Sequence, residues 1–227
     1  MEPSPGAVGS PSTESPSDVP SSDASSSDVS PSTARGRAKA DRRNALLDAA
    51  ARLFARRGFD GVSIEDLGAA AGVSGPAVYR HFVSKQAMLA ALLVGASERL
   101  MAGGRGVVAS GSDDAATLRA LVRFHVSFAL ADPDVIRVQD RDLDSLAADD
   151  RRTVVALQRG YIGLWVDVLA RLQPDADRAE LGIRARATFG LLNSTPHSAR
   201  SAPRSSGAPR LEQMALAALG QAGSRDG

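Results

Sequence analysis

From residue 41 onward the apolar residues return every three or four positions, the period of a helix and not of a strand. Leu46, Leu47, Ala50, Leu53 and Phe54 form the first such stripe. Gly58 stands just past the predicted helix end, after Arg56 and Arg57, whose charge suits the negative end of the helix dipole. Ser63 opens a second helix. With Asp66 it resembles a capping box, although Glu or Gln is the usual second member. Ile64, Leu67 and Ala71 form its inner face, and Gly72 ends it. Ser74 caps a third helix, with Pro76 in the first turn where a missing N–H is tolerated. Val78 and Phe82 face inward at i, i+4. Ser84 caps a fourth helix bearing Met88, Leu89, Leu92, Leu93 and Leu100.

Two short helices about a tight glycine-containing turn form a helix-turn-helix. The remainder is also helical by pattern. Leu118, Leu121, Val122, His125 and Ala129 make one stripe, and Pro133 starts a new segment. Residues 154–172 are apolar on most sides, which predicts burial on more than one face. A further helix at 181–192 ends near Pro196, a polar loop spans 198–210, and Leu211, Met214, Ala215, Ala218 and Leu219 give a final amphipathic helix. No alternating strand pattern and no internal repeat is found. The fold class is all-α: an N-terminal three-helix helix-turn-helix domain followed by a C-terminal helical bundle.

Composition divides the 227 residues further. Residues 1–34 hold twelve Ser, six Pro, five acids and no Lys or Arg, too little apolar surface to offset chain entropy, so a disordered acidic tail is expected. Residues 35–100 hold eleven bases and six acids, while 101–227 are close to neutral. The net charge of +1 therefore hides an acidic, a basic and a neutral block. Without cysteine there are no disulfides, thiolate metal sites or cysteine nucleophiles. The longest apolar run, 87–96, has about half the length of a membrane span, and no basic residue precedes an apolar run at the N-terminus. A cytoplasmic protein without membrane association is expected. The boundaries read as tail 1–34, basic arm 35–39, helix-turn-helix domain 40–100 with the motif itself at 63–82, flexible linker 101–114, and second helical domain 115–227.

The ordered series Leu46, Asp48, Ala49, Ala50, Arg52, Leu53 and Phe54, then Gly58–Phe59, Ser63–Ile64, Ala71–Gly72–Val73–Ser74, Val78–Tyr79–Arg80–His81–Phe82 and Lys85 resembles the TetR/AcrR-type family of bacterial transcriptional regulators. The resemblance covers about 60 residues, 40–100. It implies backbone contacts to DNA from Ser63, Tyr79, His81 and Lys85. It also implies that Ser74, Gly75, Pro76 and Ala77 lie nearest the bases. Small or polar groups at the start of a recognition helix suit a major groove. Gly75 and Ala77 replace side chains that would read bases directly. Specificity is therefore expected to lean on Arg80, Ser74, thymine methyl contacts and the arm with Arg35, Arg37, Lys39, Arg42 and Arg43. Two readings of that arm stay open: insertion into a narrow minor groove, or a solvated basic linker.

For the second half the resemblance implies effector binding and a homodimer built from its last two long helices, about 175–195 and 208–222. Ala215, Ala218 and Leu219 would permit close helix approach. Candidate pocket residues are Phe124, His125, Phe128, Arg137, Arg141, Tyr161, Trp165, Phe189 and Asn193, polar or aromatic groups on apolar faces. A satisfied core histidine is the competing reading of His125, and Tyr161 with Trp165 at i, i+4 equally suits a core. The expected partners are a double-stranded, near-palindromic operator, a second copy of the chain, and an unknown small-molecule effector. Similar actinobacterial regulators point to lipid-derived chemistry for that effector. No cofactor, no metal and no catalytic residue is expected. Gly104, Gly106 and Ala109 match a dinucleotide fingerprint on paper, but no strand precedes them. The alternative function is a DNA-binding helical protein without an effector, architectural or constitutive.

Overall fold

The computed structural model describes residue 1 and residues 31–111, 113–195 and 204–220. The predicted acidic tail falls almost wholly outside them. Nine α-helices are found among the described residues: α1 Pro31–Arg57, α2 Ile64–Ala70, α3 Gly75–Val78, α4 Lys85–Ser110, α5 Asp114–Ala131, α6 Pro133–Asp142, α7 Ala148–Leu172, α8 Arg178–Asn193 and α9 Arg204–Ala218. A short 3-10 turn, Leu143–Ser145, joins α6 to α7. The described residues contain no strand.

Two apolar cores organise the chain. In the first, Leu46, Leu53 and Phe54 of α1 meet Ile64 and Leu67 of α2, Val78 and Phe82 around α3, and Met88, Leu89 and Leu93 of α4. Val135 and Val138 of α6, with Leu146 and Val154, also belong to it. The second gathers Leu118, Leu121 and Val122 of α5, Tyr161, Trp165 and Leu169 of α7, Leu181, Ala185 and Leu192 of α8, and Ala215 and Leu219 of α9. The first half of α4 lies in one core, and its Leu100, Met101 and Val107 pack against the other. By length and composition α4 is apolar enough to cross a membrane, but Met88, Leu89 and Leu93 are fully buried within the protein.

Four sequence expectations change. Residues 35–39, expected as a flexible arm, are the N-terminal part of α1. Ala, Arg and Lys favour helix there, and the side chains of 36–45 are exposed, so no apolar stripe marks the extension. Residues 101–110, expected as linker, continue α4 without interruption. Two of its glycines serve close packing. A Cβ on Gly103 would lie 2.1 Å from the Phe124 ring, and one on Gly104 2.5 Å from the Tyr161 ring. Residues 204–210, expected as loop, already belong to α9. Ala215 and Leu219, assigned to a dimer contact, are fully buried inside the chain's own second core.

Candidate nucleic-acid interface and effector core

The helix-turn-helix is built by its caps. Ser63 Oγ accepts from the Asp66 N–H at 3.0 Å, and Asp66 Oδ2 accepts from the Ser63 N–H at 3.0 Å. Asp thus completes the box that normally uses a longer acid. The Ser63 hydroxyl also donates to Asp66 Oδ2, so its proton is engaged within the box. The Ser63 N–H, then its hydroxyl, hold the Asp66 carboxyl below the usual carboxylate range. Gly68 lets the turn fold against α2, since a Cβ there would lie 2.8 Å from the Val73 carbonyl oxygen. Gly72 takes φ +69°, a conformation that favours glycine.

Ser74 is the N-cap of α3, but its side chain makes no cap hydrogen bond. Helix α3 is only four residues long and is followed by a turn carrying Tyr79, Arg80 and His81. Val78 and Phe82 are buried, as the spacing predicted. Ser63, Ser74, Pro76, Tyr79 and Arg80 are exposed, and Gly75, Ala77 and His81 are half-buried. Tyr79 keeps 54% of its surface exposed, a large aromatic left facing solvent.

The α1 extension approaches the end of the recognition segment. Ala38, Lys39 and Arg42 line a cleft of about 390 Å³ with Arg80 and His81. No ion pair joins these cations to an acid among the described residues; Asp41 lines the neighbouring depression with Arg42, Gly72 and Val73. Arg43 lies over the Phe82 ring at 4.9 Å, which holds α1 to the recognition segment. His81 Nδ1 is buried without a hydrogen-bond partner among the described residues. Arg37 is exposed on α1, and Arg35 lies on the same helix.

Lys85 differs from its expected part. Its Nζ donates to the carbonyls of Phe59 at 2.8 Å and Val62 at 2.9 Å, and sits 4.3 Å from the Phe59 ring centre. Two of its three donors are committed to the loop between α1 and α2, leaving one for any phosphate.

In the second half, six candidate pocket residues converge and a seventh packs against them. His125 is 2% exposed and stands within 6.1 Å, ring centre to ring centre, of Phe128, Tyr161, Trp165 and Phe189. Its Nε2 meets Asn193 Oδ1 at 3.1 Å. Phe124 packs on Gly103 at the edge of the same core. Burial pushes the His125 pKa down to about 4, partly offset by the Asn193 hydrogen bond. Burial also raises the Tyr161 pKa. The Trp165 indole acts against that rise, yet neither the Tyr161 hydroxyl nor Trp165 Nε1 has a partner in hydrogen-bonding geometry among the described residues. His125 Nδ1 and Gln158 Nε2 share that condition. Sequence reasoning missed Gln158, which carries no pattern signal on a mostly apolar helix. A cavity of about 230 Å³, lined by Leu100, Phe124, Ser127, Phe128, Arg99 and Ala131, adjoins the aromatic core.

Arg141 and Arg137 lie elsewhere. Arg137 pairs with Asp134 at 3.0 Å along α6. Arg141 reaches the C-terminal end of α1, where its Nη2 donates to the Phe54 carbonyl and Nη1 approaches that of Ala55 at 3.5 Å. Asp142 holds the same guanidinium at 3.0 and 3.1 Å. Arg141 thus ties α6 to the end of α1 and is not part of the aromatic core. Its partners are backbone carbonyls 86 and 87 positions away, which no side-chain pattern marks.

Comparison with known proteins agrees with this geometry. The family model "Bacterial regulatory proteins, tetR family" matches residues 46–92, and "Tetracyclin repressor-like, C-terminal domain" matches 111–197. The HTH-type transcriptional repressor KstR2 of Rhodococcus jostii is 33% identical over 153 residues, covering 66% of this chain and 75% of the relative. The chain belongs to the TetR family of bacterial regulatory proteins. It is a DNA-binding transcriptional regulator with an N-terminal helix-turn-helix domain and a C-terminal helical domain. A TetR-family regulator from Bordetella parapertussis superposes with a TM-score of 0.69 at 28% identity, covering 77% of this chain and 93% of that one. The ketosteroid transcriptional regulator KstR2 of Mycobacterium tuberculosis gives 0.67 at 26% identity, with 79% and 93% covered. These TetR-family relatives are regulators by name, as this chain is by family.

Proposed function

We propose that this regulator is a repressor that binds a near-palindromic operator as a homodimer and releases it when a lipid-derived effector enters the core around His125. The observation that carries the effector reading is the set of buried polar atoms on His125, Gln158, Tyr161 and Trp165 that lack partners among the described residues. Leaving such atoms unpaired in an apolar core is costly, about 1–3 kcal/mol each. A ligand with hydrogen-bonding oxygens on an apolar skeleton would satisfy them. The Tyr161 hydroxyl, Trp165 Nε1 and Gln158 Nε2 are neutral donors, while His125 Nδ1, in the tautomer whose Nε2–H donates to Asn193, is an acceptor, a set that suits a ketone or ester oxygen with a hydroxyl on a hydrocarbon frame better than a free anion. The name of the M. tuberculosis relative, a ketosteroid regulator, supports the same class. The adjoining 230 Å³ is below the roughly 300–1,000 Å³ of a ligand pocket, so Phe124 and Phe128, which line it, have to move for the effector to enter.

On the DNA side, Ser74, Gly75, Pro76 and Ala77 face the bases. His81 and Tyr79 hold phosphates together with Lys39 and Arg42, and Arg80, which lines the same cleft, contributes to specificity. Arg35 and Arg37 extend this basic helix along the backbone, Ser63 is a secondary contact because its proton is engaged in the capping box, and Lys85 serves the fold through its two loop carbonyls instead of a phosphate. The dimer uses the exposed faces of α8 and α9. Ile183 and Met214 are 62% and 53% exposed there, and Ala187, Gly190, Ala217 and Ala218 allow close approach. A two-fold dimer sets recognition segments roughly 34–36 Å apart, one DNA turn.

Thermal denaturation with and without a steroid ketone or a fatty acyl-CoA tests the effector reading. One of these is expected to stabilise the protein by about 2.7 kcal/mol at a hundredfold excess over Kd, and to weaken DNA binding. Stabilisation that leaves DNA affinity unchanged overturns the regulatory reading, and no stabilisation by either class overturns the lipid assignment.

A further inference from the structure

We infer that Arg141 and Asp142 form a joint that sets the angle of the DNA-binding domain on the body of the protein, and thereby the half-site spacing the dimer accepts. The inference rests on the dimeric, operator-binding reading above. Helix α1 ends at Arg57, and Gly58 follows with φ +81°. The last carbonyls of a helix lack intrahelical partners and carry the negative end of its dipole. The Gly58 N–H reaches Phe54 O at 2.8 Å, and Arg141 supplies a second donor to the same oxygen. An added Cβ at Gly58 would lie 3.7 Å from Arg141 Nε, so the guanidinium lies along this turn.

The guanidinium is itself fixed. Asp142 is only 5% exposed and binds it through both carboxylate oxygens, at 3.0 and 3.1 Å. A planar fork held on one side by a buried carboxylate and on the other by a helix end has its orientation set by both. Helix α6 carries this pair and packs Val135 and Val138 into the first core. A single residue, Asp132, separates α6 from α5. Phe128 of α5 packs on the first core while its ring stands 6.1 Å from His125 in the second. The helix that feels the effector core is therefore followed directly by the one that grips α1. Gln86 of α4 donates to the Ser145 carbonyl at 3.1 Å, a second and weaker tie at the same place.

If the joint fixes the domain angle, loosening it lets each recognition segment swing. Affinity for the best operator then falls little, while operators with altered spacing are penalised less. A preferred duplex is first selected from a random library with the full-length protein. Binding is then measured to that duplex and to copies with one base pair inserted at or removed from the centre. The expected outcome is a spacing penalty of about tenfold or more for the native protein, falling to about threefold or less for Arg141→Gln. Arg141→Lys, which keeps charge without the fork, gives an intermediate ratio and serves if the Gln variant does not fold. Val168→Ala, in the second core, keeps the native ratio at a comparable loss of thermal midpoint. A spacing ratio in either Arg141 variant equal to the native one overturns the joint alone. Absence of any preferred duplex for the native protein overturns it together with the operator reading.

Discussion

His125 lies among four aromatic rings with one hydrogen bond, to Asn193, and its burial favours the neutral ring. Its pKa is about 4 in the folded chain against an ordinary 6.5. Between these values the unfolded chain holds the extra proton and the folded chain does not, so stability rises with pH there. The contribution is complete above pH 6.5 and is lost as pH falls toward 4. Urea unfolding at pH 7 and pH 4 should differ by on the order of 3 kcal/mol from this group, and His125→Gln should remove that part of the difference. An unchanged pH dependence in the variant would contradict it. Lys85 gives a second test at this scale. Its ammonium ties two loop carbonyls, so Lys85→Met should lower stability by about 2 kcal/mol and leave the slope of log K against log salt unaltered. A slope reduced by about 0.9 would instead make it a phosphate ligand. The sequence could name Lys85, His125 and Arg141 as notable. It could not tell their partners, because Phe59 O, Asn193 and Phe54 O are far away in the chain.

At the scale of elements, legibility followed burial. Leu46 to Phe54 and Ile64 with Leu67 each present an apolar face readable as helix from its spacing, whereas Val78 and Phe82 are buried as their spacing indicated but the helix stops at Val78 and a turn carries the chain to Phe82. The α1 extension buries nothing over residues 36–45 and so left no periodic trace, although its residues favour helix. The end of α4 was obscured for the opposite reason. Gly103, Gly104 and Gly106 look like a linker, but two of them admit aromatic rings from α5 and α7 to the helix backbone. Gly103→Ala removes an intrinsically poor helix residue, which alone would add roughly 1 kcal/mol. The new methyl would meet the Phe124 ring, and overpacking costs about 1–3 kcal/mol, so net destabilisation is expected. Chemical denaturation checks this, and a more stable variant would show that Phe124 yields freely.

Across the described residues, the basic and near-neutral charge blocks follow the architecture. The basic block forms α1 to the start of α4, where Lys39, Arg42, Arg80 and His81 meet, and the near-neutral block forms the aromatic core and the faces of α8 and α9. Family and all-helical class were legible because the motif between residues 46 and 85 is dense and ordered. The joint through α6 was not, since it depends on how two cores stack. The central claim is that two copies of this chain read one near-palindromic duplex through the segment from Ser74 to His81. Selection of duplexes from a random library by the full-length protein, followed by sedimentation of the complex, tests it most directly. The expected result is enrichment of an inverted repeat with half-sites about one turn apart and two chains bound across it. Enrichment of no sequence, or of a single half-site carrying one chain, would contradict it.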